Sequence, residues 1–399
     1  MTRGRSAPII YLDNSATMRP LPEVVATVTE TLQNDYANPS SLHEFGLSAE
    51  RILTSTRNEL AKFLGTESHK IFFTSGATEA NNTILRGVAA AYSSRGRHII
   101  TTPIEHPSVL ATCQYLETCG FEIDYLPVDD KGTIHPDDLS AKLRNDTILI
   151  SIMAVNNEVG TIQPITEVAL RLDALGSRRP FFHTDAVQAI GKIPVDLSRI
   201  TIDGLSLSGH KFGAPKGVGI MFLNSPAALP PLLYGGGQED GMRSGTENTS
   251  GIAGIGAAVN WLQQNQRAAN EKMYQLRQYL GETLESEIPN CHVNGPPADA
   301  PIETVAPHIL NVSFPTIPGE ILVHSLAESS IYVSTGTACS SKAETTSRVL
   351  SAMGLAPELA RSSIRVSFSY ETSAHDIDAL IDALNSTVPH LRRMTRYQQ

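Results

Sequence analysis

From residue 70 to residue 223, short apolar runs alternate with stretches of helical periodicity. This alternation constrains the fold most, because strands that alternate with helices form βαβ units and a mainly parallel sheet covered by helices on both faces. In such α/β sheets, ligands bind beyond the carboxyl ends of the strands. The predicted strands span residues 70–74, 97–102, 121–126, 147–153, 180–184, 200–207 and 218–223.

Polar residues follow several of these strands and together offer hydroxyl, imidazole, amide, carboxylate and amine groups. Each of them alone is compatible with a turn or a helix cap, but parallel strands bring their ends to one rim of the sheet. We therefore expect a site there. The residues are Ser75, Gly76, Ala77, Thr78, Glu105, His106, Asn156, Asn157, Glu158, Asp185, Gln188, Ser208, His210 and Lys211.

Residues 208–219 form a glycine-rich loop between two apolar runs, and Lys211 lies in it. The glycines and Pro215 exclude a helix and allow close approach of the backbone to a ligand. A lysine on a rigid, partly desolvated loop can have a lowered pKa and form a Schiff base. The alternative is a surface loop in which both Lys211 and Lys216 are solvated.

Two of the strand ends suit an anionic and a cationic ligand group. Residues 75–78 lead from a strand into a helix, whose free amides and dipole bind phosphate, although Thr78 alone can be a plain N-cap. Asp185 ends an apolar strand, and a buried carboxylate needs a cationic partner. A protonated pyridine nitrogen beside a Schiff-base lysine is the mark of a pyridoxal phosphate site. An ion pair with an arginine or lysine is the alternative for Asp185.

Histidine and arginine side chains raise the same choice between structure and function. His106 is placed to stack on an aromatic cofactor ring, or it is a hydrogen-bonded structural residue, as we expect for His98 and His183. Arg365 lies inside the predicted strand 363–369 and needs a carboxylate. That carboxylate belongs either to a structural ion pair or to a substrate.

Of the four cysteines, Cys339 alone lies among small and polar residues, which is typical of an exposed loop. An exposed thiol can ionise and act as a nucleophile, whereas a buried thiol is inert. Cys113, Cys119 and Cys291 lie in helical or apolar patterns, and we expect them to serve packing.

Beyond residue 223 the pattern changes to a glycine-rich connection, a long helix over residues 250–286, and a mixture of strands and helices. We expect the long helix to bridge a large α/β domain, residues 15–260, and a small α+β domain formed by residues 1–14 and 261–399. The last helix, 375–384, begins with a capping box of Ser373 and Asp376.

Charge and composition exclude several classes of partner. The formal net charge of −10 and the absence of Lys or Arg runs argue against a nucleic-acid partner. No stretch approaches the ~20 apolar residues of a membrane span, so no membrane partner is expected. Four cysteines without Cys-x-x-Cys spacing predict neither a disulfide framework nor a metal site, and favour a cytoplasmic location.

Taken together, these segments resemble the cysteine desulfurases, which are pyridoxal phosphate enzymes of the class V aminotransferase group with the fold-type I architecture. The resemblance covers residues 9–385. The segments that carry it are YLDNSAT (11–17), TSGATE (74–79), EH (105–106), VNNEVG (155–160), DAVQ (185–188), SGHK (208–211), RSGT (243–246), GTAC (336–339) and SIR (363–365).

The resemblance implies that pyridoxal 5′-phosphate is the cofactor and assigns the matched residues their roles. Lys211 is then the Schiff-base lysine and proton shuttle, Asp185 the partner of the ring nitrogen, Gln188 that of the ring hydroxyl, and His106 the stacking residue. The resemblance also implies that the cofactor phosphate is bound by Ala77, Thr78, Ser208 and His210, together with Thr246 from the second subunit of a homodimer. Asn157 would bind the cofactor and the substrate carboxylate, and Arg365 the substrate carboxylate. Cys339 would be the nucleophile.

The implied reaction converts L-cysteine to L-alanine and leaves a persulfide on Cys339, which then supplies a sulfur acceptor such as an iron–sulfur scaffold protein. Thr335 and Thr337 depart from the serines expected beside Cys339, but both keep a hydroxyl. Other readings remain open: a selenocysteine lyase, a small-amino-acid transaminase, or a non-catalytic sulfur-scaffold protein that has kept the fold.

Overall fold

The computed structural model describes residues 8–225, 229–336 and 346–396, with side chains described as far as residue 394. The helices are α1 (Pro22–Asn34), α2 (Glu44–Leu64), α3 (Ala77–Tyr92), α4 (Pro107–Thr118), α5 (Pro136–Lys142), α6 (Ile165–Asp173), α7 (Thr249–Glu287), α8 (Gly319–Glu328), α9 (Arg348–Ala352), α10 (Pro357–Arg361) and α11 (Ala374–Arg396). The strands are β1 (Ile10–Tyr11), β2 (Ile71–Thr74), β3 (His98–Thr101), β4 (Glu122–Tyr125), β5 (Thr147–Ser151), β6 (Phe181–Asp185), β7 (Gly204–Ser208), β8 (Gly219–Leu223), β9 (His292–Asn294), β10 (Ile309–Ser313), β11 (Ile331–Tyr332) and β12 (Ser363–Ser367).

A seven-stranded sheet in the order β2-β8-β7-β6-β5-β3-β4 dominates the fold. Strands β4, β3, β5, β6 and β7 pair in parallel, which confirms the predicted mainly parallel α/β sheet. Strand β8 is antiparallel to both of its neighbours. It returns directly from β7 through the Lys211 loop without a crossover helix, and such a short connection permits only antiparallel pairing.

Both faces of this sheet are buried, as the continuous apolar strands predict. Met221 of β8 packs in one apolar cluster with Ile84 and Val88 of α3. Its neighbours Ile220 and Phe222 point to the other face and join the main core cluster. Alternation along one strand therefore divides the core into two layers, with α3 and α4 covering the first.

A three-stranded antiparallel sheet, in the order β12-β10-β9, and a parallel pair of β1 with β11 lie in the C-terminal half and the N-terminal segment. Helix α7 connects this region with the main sheet. Near its start Gly256 packs against Thr56 of α2, and further along Arg277 donates to the carbonyl of Ile309 in β10 at 3.0 Å. The division into domains at residues 14/15 and 260/261 stays a prediction.

Some sequence-based boundaries were wrong. Strand β7 begins at Gly204, not at residue 200, and α11 continues to Arg396 rather than ending at residue 384. Leu391 packs against the main core and extends the apolar stripe of α11, which explains the extra turns. The capping box is confirmed, because Ser373 N and Oγ both donate to Asp376 Oδ2 at 2.8 Å.

Cys113 and Cys291 are buried, as expected for packing cysteines, but Cys119 is exposed. Cys119 is the residue that caps the C-terminus of α4, where the chain leaves the helix towards solvent. No helix within the described ranges combines the length and apolar character needed to cross a membrane.

Candidate active site at the carboxyl ends of the strands

Lys211 lies in the short turn that directly follows β7, at the expected rim of the sheet. Its side chain is half-buried, and Nζ donates to the carbonyls of Ser15 at 2.5 Å and Ala16 at 2.8 Å. The segment after β1 therefore fixes the position of the amine. A fully solvated Lys211 is excluded, whereas Lys216 is exposed.

The turn at residues 75–78 leads from β2 into α3, as predicted. Gly76 caps α3, so Thr78 lies in the first turn and is not the N-cap. The first amides of a helix have no partner within it, and they carry the positive end of the helix dipole. Ser208 is nearby, since a Cβ on Gly76 would lie 3.8 Å from Ser208 Oγ. The turn and the end of β7 thus form one polar surface suited to an anion.

Arg243 connects the glycine-rich connection to this turn. Its Nε is 3.0 Å from Glu79 Oε1, and Glu79 Oε2 accepts from Ser75 N at 2.9 Å. Burial opposes ionisation of Glu79, but the hydrogen bonds from Ser75 and Arg243 outweigh it and lower the pKa of Glu79. Thr246, three residues beyond Arg243, is exposed in the single chain.

Asp185, the last residue of β6, is 4% exposed. Its Oδ2 accepts from Asn81 Nδ2 at 2.8 Å and its Oδ1 from Val187 N at 3.1 Å. In the part of the chain that the structure describes, Asp185 forms no ion pair, so the arginine or lysine partner considered from the sequence is absent. A buried carboxylate with only neutral donors suits a cationic ligand atom, such as a protonated pyridine nitrogen.

His106 caps the N-terminus of α4, and its Nδ1 accepts from Ser108 N at 3.1 Å. Burial lowers the pKa of His106; the charge of Asp185 opposes this effect and that of Lys211 adds to it. Both charges are thus within electrostatic range of the His106 ring. His183, by contrast, lies inside the sheet between Ser151 and Ser206, and burial lowers its pKa to about 3, as befits a structural residue.

Gln188 and His210 are the other side chains at this rim. Gln188 Nε2 donates to the Ser15 carbonyl at 3.0 Å, the same oxygen that accepts from Lys211. Its Oε1 is 3.0 Å from His308 Nε2. His210 Nδ1 is 3.2 Å from Thr17 Oγ1, and burial lowers the pKa of His210 to about 4, with help from Lys211 and Lys216.

Arg365 of β12 is 1% exposed and bonds to two partners. Its NH2 is 2.8 Å from Asp13 Oδ1, and its NH1 donates to the Asn157 carbonyl at 2.9 Å. A structural ion pair therefore exists, yet Arg365 Nε is buried and has no hydrogen-bond partner among the residues that the structure describes. Asn156 holds the turn before Asn157, because its Oδ1 accepts from Glu158 N at 2.9 Å. The guanidinium has five N–H donors and these bonds use two of them, so Nε–H is among the donors that remain for a further acceptor.

Cys339 and Thr337 lie outside the described residues, but the chain on both sides of them is described. Ser334 pairs with Arg365 through backbone hydrogen bonds. Glu158 Oε2 accepts from Ser347 Oγ at 2.6 Å and would be 2.4 Å from a Cβ on Gly336. Burial raises the pKa of Glu158 to about 7, against the hydrogen bond from Ser347 and the charge of Arg365. Gly336 and Ser347, described residues on either side of the segment with Cys339, thus both lie beside Glu158.

Sequence reasoning missed several residues that hold this site. Ser15 and Ala16 contribute backbone carbonyls, and a residue pattern does not predict contacts of the backbone. Asn81 and His308 are buried polar residues that bond to Asp185 and Gln188. Asn81 follows Ala77 by four positions on α3 and therefore lies on the same helix face, a spacing that could have drawn attention to it.

Comparison with known proteins extends over nearly the whole chain. Residues 10–380 match the family described as aminotransferase class-V. The chain is 42% identical to the cysteine desulfurase IscS of Dictyoglomus turgidum, over 98% of this chain and 97% of that protein. It is also 42% identical to the cysteine desulfurase IscS of Methanosarcina thermophila, over 97% and 93%. A solved structure titled NifS-like protein superposes with a TM-score of 0.88 at 38% identity, covering 96% of this chain and 100% of the other.

Proposed function

The chain belongs to the cysteine desulfurases of the class-V aminotransferase family, and from this premise we propose that it transfers the sulfur of L-cysteine to its own Cys339 as a persulfide and releases L-alanine. One observation carries the proposal. The buried Asp185 carboxylate has no ion pair among the described residues, and it acts on the same His106 ring as the half-buried Lys211.

Pyridoxal 5′-phosphate is the cofactor of this family, and the donors at the rim fit it. The Asp185 carboxylate would pair with the ring nitrogen, His106 would lie against the ring face, and Lys211 would form the Schiff base. Gln188 Nε2 keeps one N–H beyond its bond to Ser15, and we assign that N–H to the ring hydroxyl. The residues assigned to the phosphate are Ala77, Thr78, Ser208, His210 and, from a second subunit, Thr246; Asn157 would contact both cofactor and substrate.

When bound, pyridoxal phosphate supplies an electron sink next to the substrate amine. Lys211 removes and returns the proton at the substrate α-carbon, and the carbonyls of Ser15 and Ala16 keep its Nζ in place. Arg365 offers Nε to the substrate carboxylate, while Asp13 and the Asn157 carbonyl keep the guanidinium fixed. Positioning of this kind brings the reacting atoms together before the chemical step.

Cys339 is the nucleophile of the proposed reaction. Its thiolate attacks the substrate sulfur, so an S–S bond forms while the C–S bond breaks. The electron pair of the broken bond stays with the carbon, and that carbon takes up one proton to become the methyl group of alanine. The persulfide then passes to a sulfur-acceptor protein, for which we propose an iron–sulfur scaffold. Gly336 and Ser347 hold the chain on either side of the cysteine next to Glu158.

We assign the active form to a homodimer in the cytoplasm. In support, Thr246 is exposed in the single chain, and large apolar side chains are exposed just before α2 and in the glycine-rich connection, with Leu42 93% and Tyr234 79% accessible. A second copy that covers these side chains would bring its Thr246 to the phosphate site. Thiols such as Cys119 stay reduced in the cytoplasm.

A Cys339→Ala variant tests the function. We expect it to bind pyridoxal phosphate with the visible absorbance of the wild type, but to lose persulfide and sulfide formation from L-cysteine. A small-amino-acid transaminase needs no such thiol, so undiminished turnover in this variant would contradict the proposal. If the protein were a non-catalytic scaffold, it would bind no cofactor. If it were a selenocysteine lyase, it would turn over selenocysteine but not cysteine.

A further inference from the structure

Asn81 is a fully buried polar side chain in α3 that the proposed chemistry does not use. Its Nδ2 donates to Asp185 Oδ2 at 2.8 Å and to Ser108 Oγ at 2.8 Å, so both amide protons are engaged. The orientation of the amide follows from chemistry, since an ionised carboxylate only accepts hydrogen bonds. Asn81 Oδ1 is buried and has no partner within the described part of the chain.

The hydrogen bonds continue from Ser108 to His106. Ser108 Oγ is 2.8 Å from His106 Nδ1, and because it accepts from Asn81, its single proton is free to be donated to that nitrogen. Ser108 N also donates to Nδ1, at 3.1 Å. A nitrogen that accepts two hydrogen bonds carries no proton, so the proton of neutral His106 is on Nε2.

These bonds form one relay from α3 to the site: Asn81 donates towards Asp185 in β6 and towards Ser108 in α4, and Ser108 donates to His106. Its members come from three separate elements, and each of them except His106 is at most 8% exposed. Asn81 is neutral, so its hydrogen bond holds the Asp185 carboxylate in place and leaves it available to a cation.

We propose that Asn81 and Ser108 are positioning residues that couple Asp185 to His106, and thereby set how tightly pyridoxal phosphate is held and how far its ring nitrogen stays protonated. This inference rests on the proposed function. In the assigned arrangement neither residue would contact the cofactor. Asn81 would act through the Asp185 carboxylate assigned to the ring nitrogen, and Ser108 through the His106 imidazole assigned to the ring face.

The geometry also accounts for the unpartnered Oδ1 of Asn81. A buried amide that served packing alone would gain nothing over an apolar side chain of the same shape, because one of its polar atoms is desolvated without compensation. The two N–H donors of Asn81 instead bind Asp185 and Ser108, so an apolar replacement is expected to change cofactor binding.

The experiment measures pyridoxal phosphate affinity by equilibrium dialysis and records the visible absorption band of the bound cofactor. Asn81→Ala is expected to weaken binding about tenfold, the loss typical of one hydrogen bond to a charged group. The band should move to shorter wavelength, because a less protonated ring is a poorer electron sink. Ser108→Ala is expected to weaken binding about threefold, since it removes only a neutral hydrogen bond.

Asn82→Ala is the matched control. Asn82 is the next residue on α3, but its side chain donates only to the Thr78 carbonyl one turn earlier, at 3.0 Å. The pyridoxal phosphate affinity and the absorption band of Asn82→Ala are expected to equal those of the wild type. The double variant of Asn81 and Ser108 is expected to bind about as weakly as Asn81→Ala alone, because members of one network are not additive.

The proposal would be overturned if both single variants had the same cofactor affinity and absorption band as Asn82→Ala. It would also be overturned if the losses of affinity in the double variant were fully additive. If Asn81→Ala does not fold, Ser108→Ala decides the outcome by the same two measurements. If the wild type binds no pyridoxal phosphate, both the proposed function and this inference fail. If the wild type binds it and the variants match the control, only this inference fails.

Discussion

Glu105, next to the stacking histidine, shows how a single residue links the site to the stability of the protein. It is 3% exposed, and its Oε1 accepts from Thr102 Oγ1 and Met153 N, both at 2.8 Å. Its Oε2 has no partner in the ranges that the structure describes. Burial raises the pKa of Glu105 to about 8, against those hydrogen bonds. The carboxyl is therefore protonated at neutral pH in the folded protein and ionised in the unfolded chain.

The sign of the pH dependence follows from this raised pKa. Between about pH 4.5 and pH 8 the folded state holds a proton that the unfolded state has lost, so stability falls as the pH rises and levels off above about 8. Glu105→Gln keeps the acceptor Oε1 and cannot ionise. We expect the unfolding free energy of the variant, relative to the wild type, to increase by roughly 2–4 kcal/mol from pH 5.5 to pH 8.5.

Urea unfolding at three pH values measures this difference, with Glu371→Gln as an exposed control that should follow the wild type. Glu158, whose pKa burial also raises, stays unchanged in both proteins and cancels in the comparison. A difference between variant and wild type that does not change with pH would contradict the account.

For single residues, the sequence predicted where the side chains of the site lie better than it predicted the backbone groups that hold them. Lys211, Asp185 and His106 follow predicted strands, so the topology alone was enough to bring them to one rim. The carbonyls of Ser15 and Ala16, which fix Lys211, have no residue signature because every residue has a carbonyl. That the segment after β1 reaches this rim depends on tertiary packing, which local patterns do not contain.

At the scale of elements, β8 joins the two parts of the anion site. Gly219 at its start pairs with Thr74, just before the phosphate turn, and with Ser208, just before the Lys211 turn. A Cβ on Gly219 would lie 2.5 Å from Gly76 Cα, a backbone atom. Only glycine permits so close an approach of β8 to the start of α3.

Gly219→Ala is therefore expected to displace the turn at Gly76, destabilise the protein by about 1–3 kcal/mol, and weaken cofactor binding about tenfold. Ile220→Val on the same strand is the control, because it costs about 1 kcal/mol in the core without touching the turn. Equilibrium dialysis and urea unfolding separate the two effects. Equal cofactor affinity in both variants would show that the turn has not moved.

Element types were predicted well wherever a strand or helix was long and periodic, because burial of one face dictates the residue pattern. Short elements were harder. The two-residue β1 and the three-residue β9 are defined by pairing with distant strands rather than by their own residues. The end of α11 was placed too early because Val388 and Leu391 continue the contact of the helix with the core beyond Leu384.

For the whole molecule, the proposed homodimer makes each active site depend on two chains. Lys211 would serve the site of its own chain, and Thr246 that of the partner. The ion pair of Arg243 with Glu79 holds the connection to Thr246 beside the phosphate turn of its own chain, and Thr246 itself remains exposed. The distinction between the two chains can be tested by mixing variants.

Co-expression of Lys211→Ala with Thr246→Ala, followed by purification of the heterodimer through two different tags, is expected to restore one intact site per dimer. Turnover should then approach about half that of the wild type, although each variant homodimer is impaired, because catalytic defects in separate chains complement only across a shared interface. If Thr246 acts within its own chain, the heterodimer contains no intact site and turnover is not restored.

Mass spectrometry of the protein after incubation with L-cysteine tests the central claim most directly. We expect one added sulfur on the peptide that contains Cys339. Lys211→Ala and Cys339→Ser should both prevent this addition, and Cys113, Cys119 and Cys291 should stay unmodified in every sample. Alanine should appear in the same samples. Turnover of L-cysteine without added sulfur on Cys339, or with the sulfur on another cysteine, would contradict it.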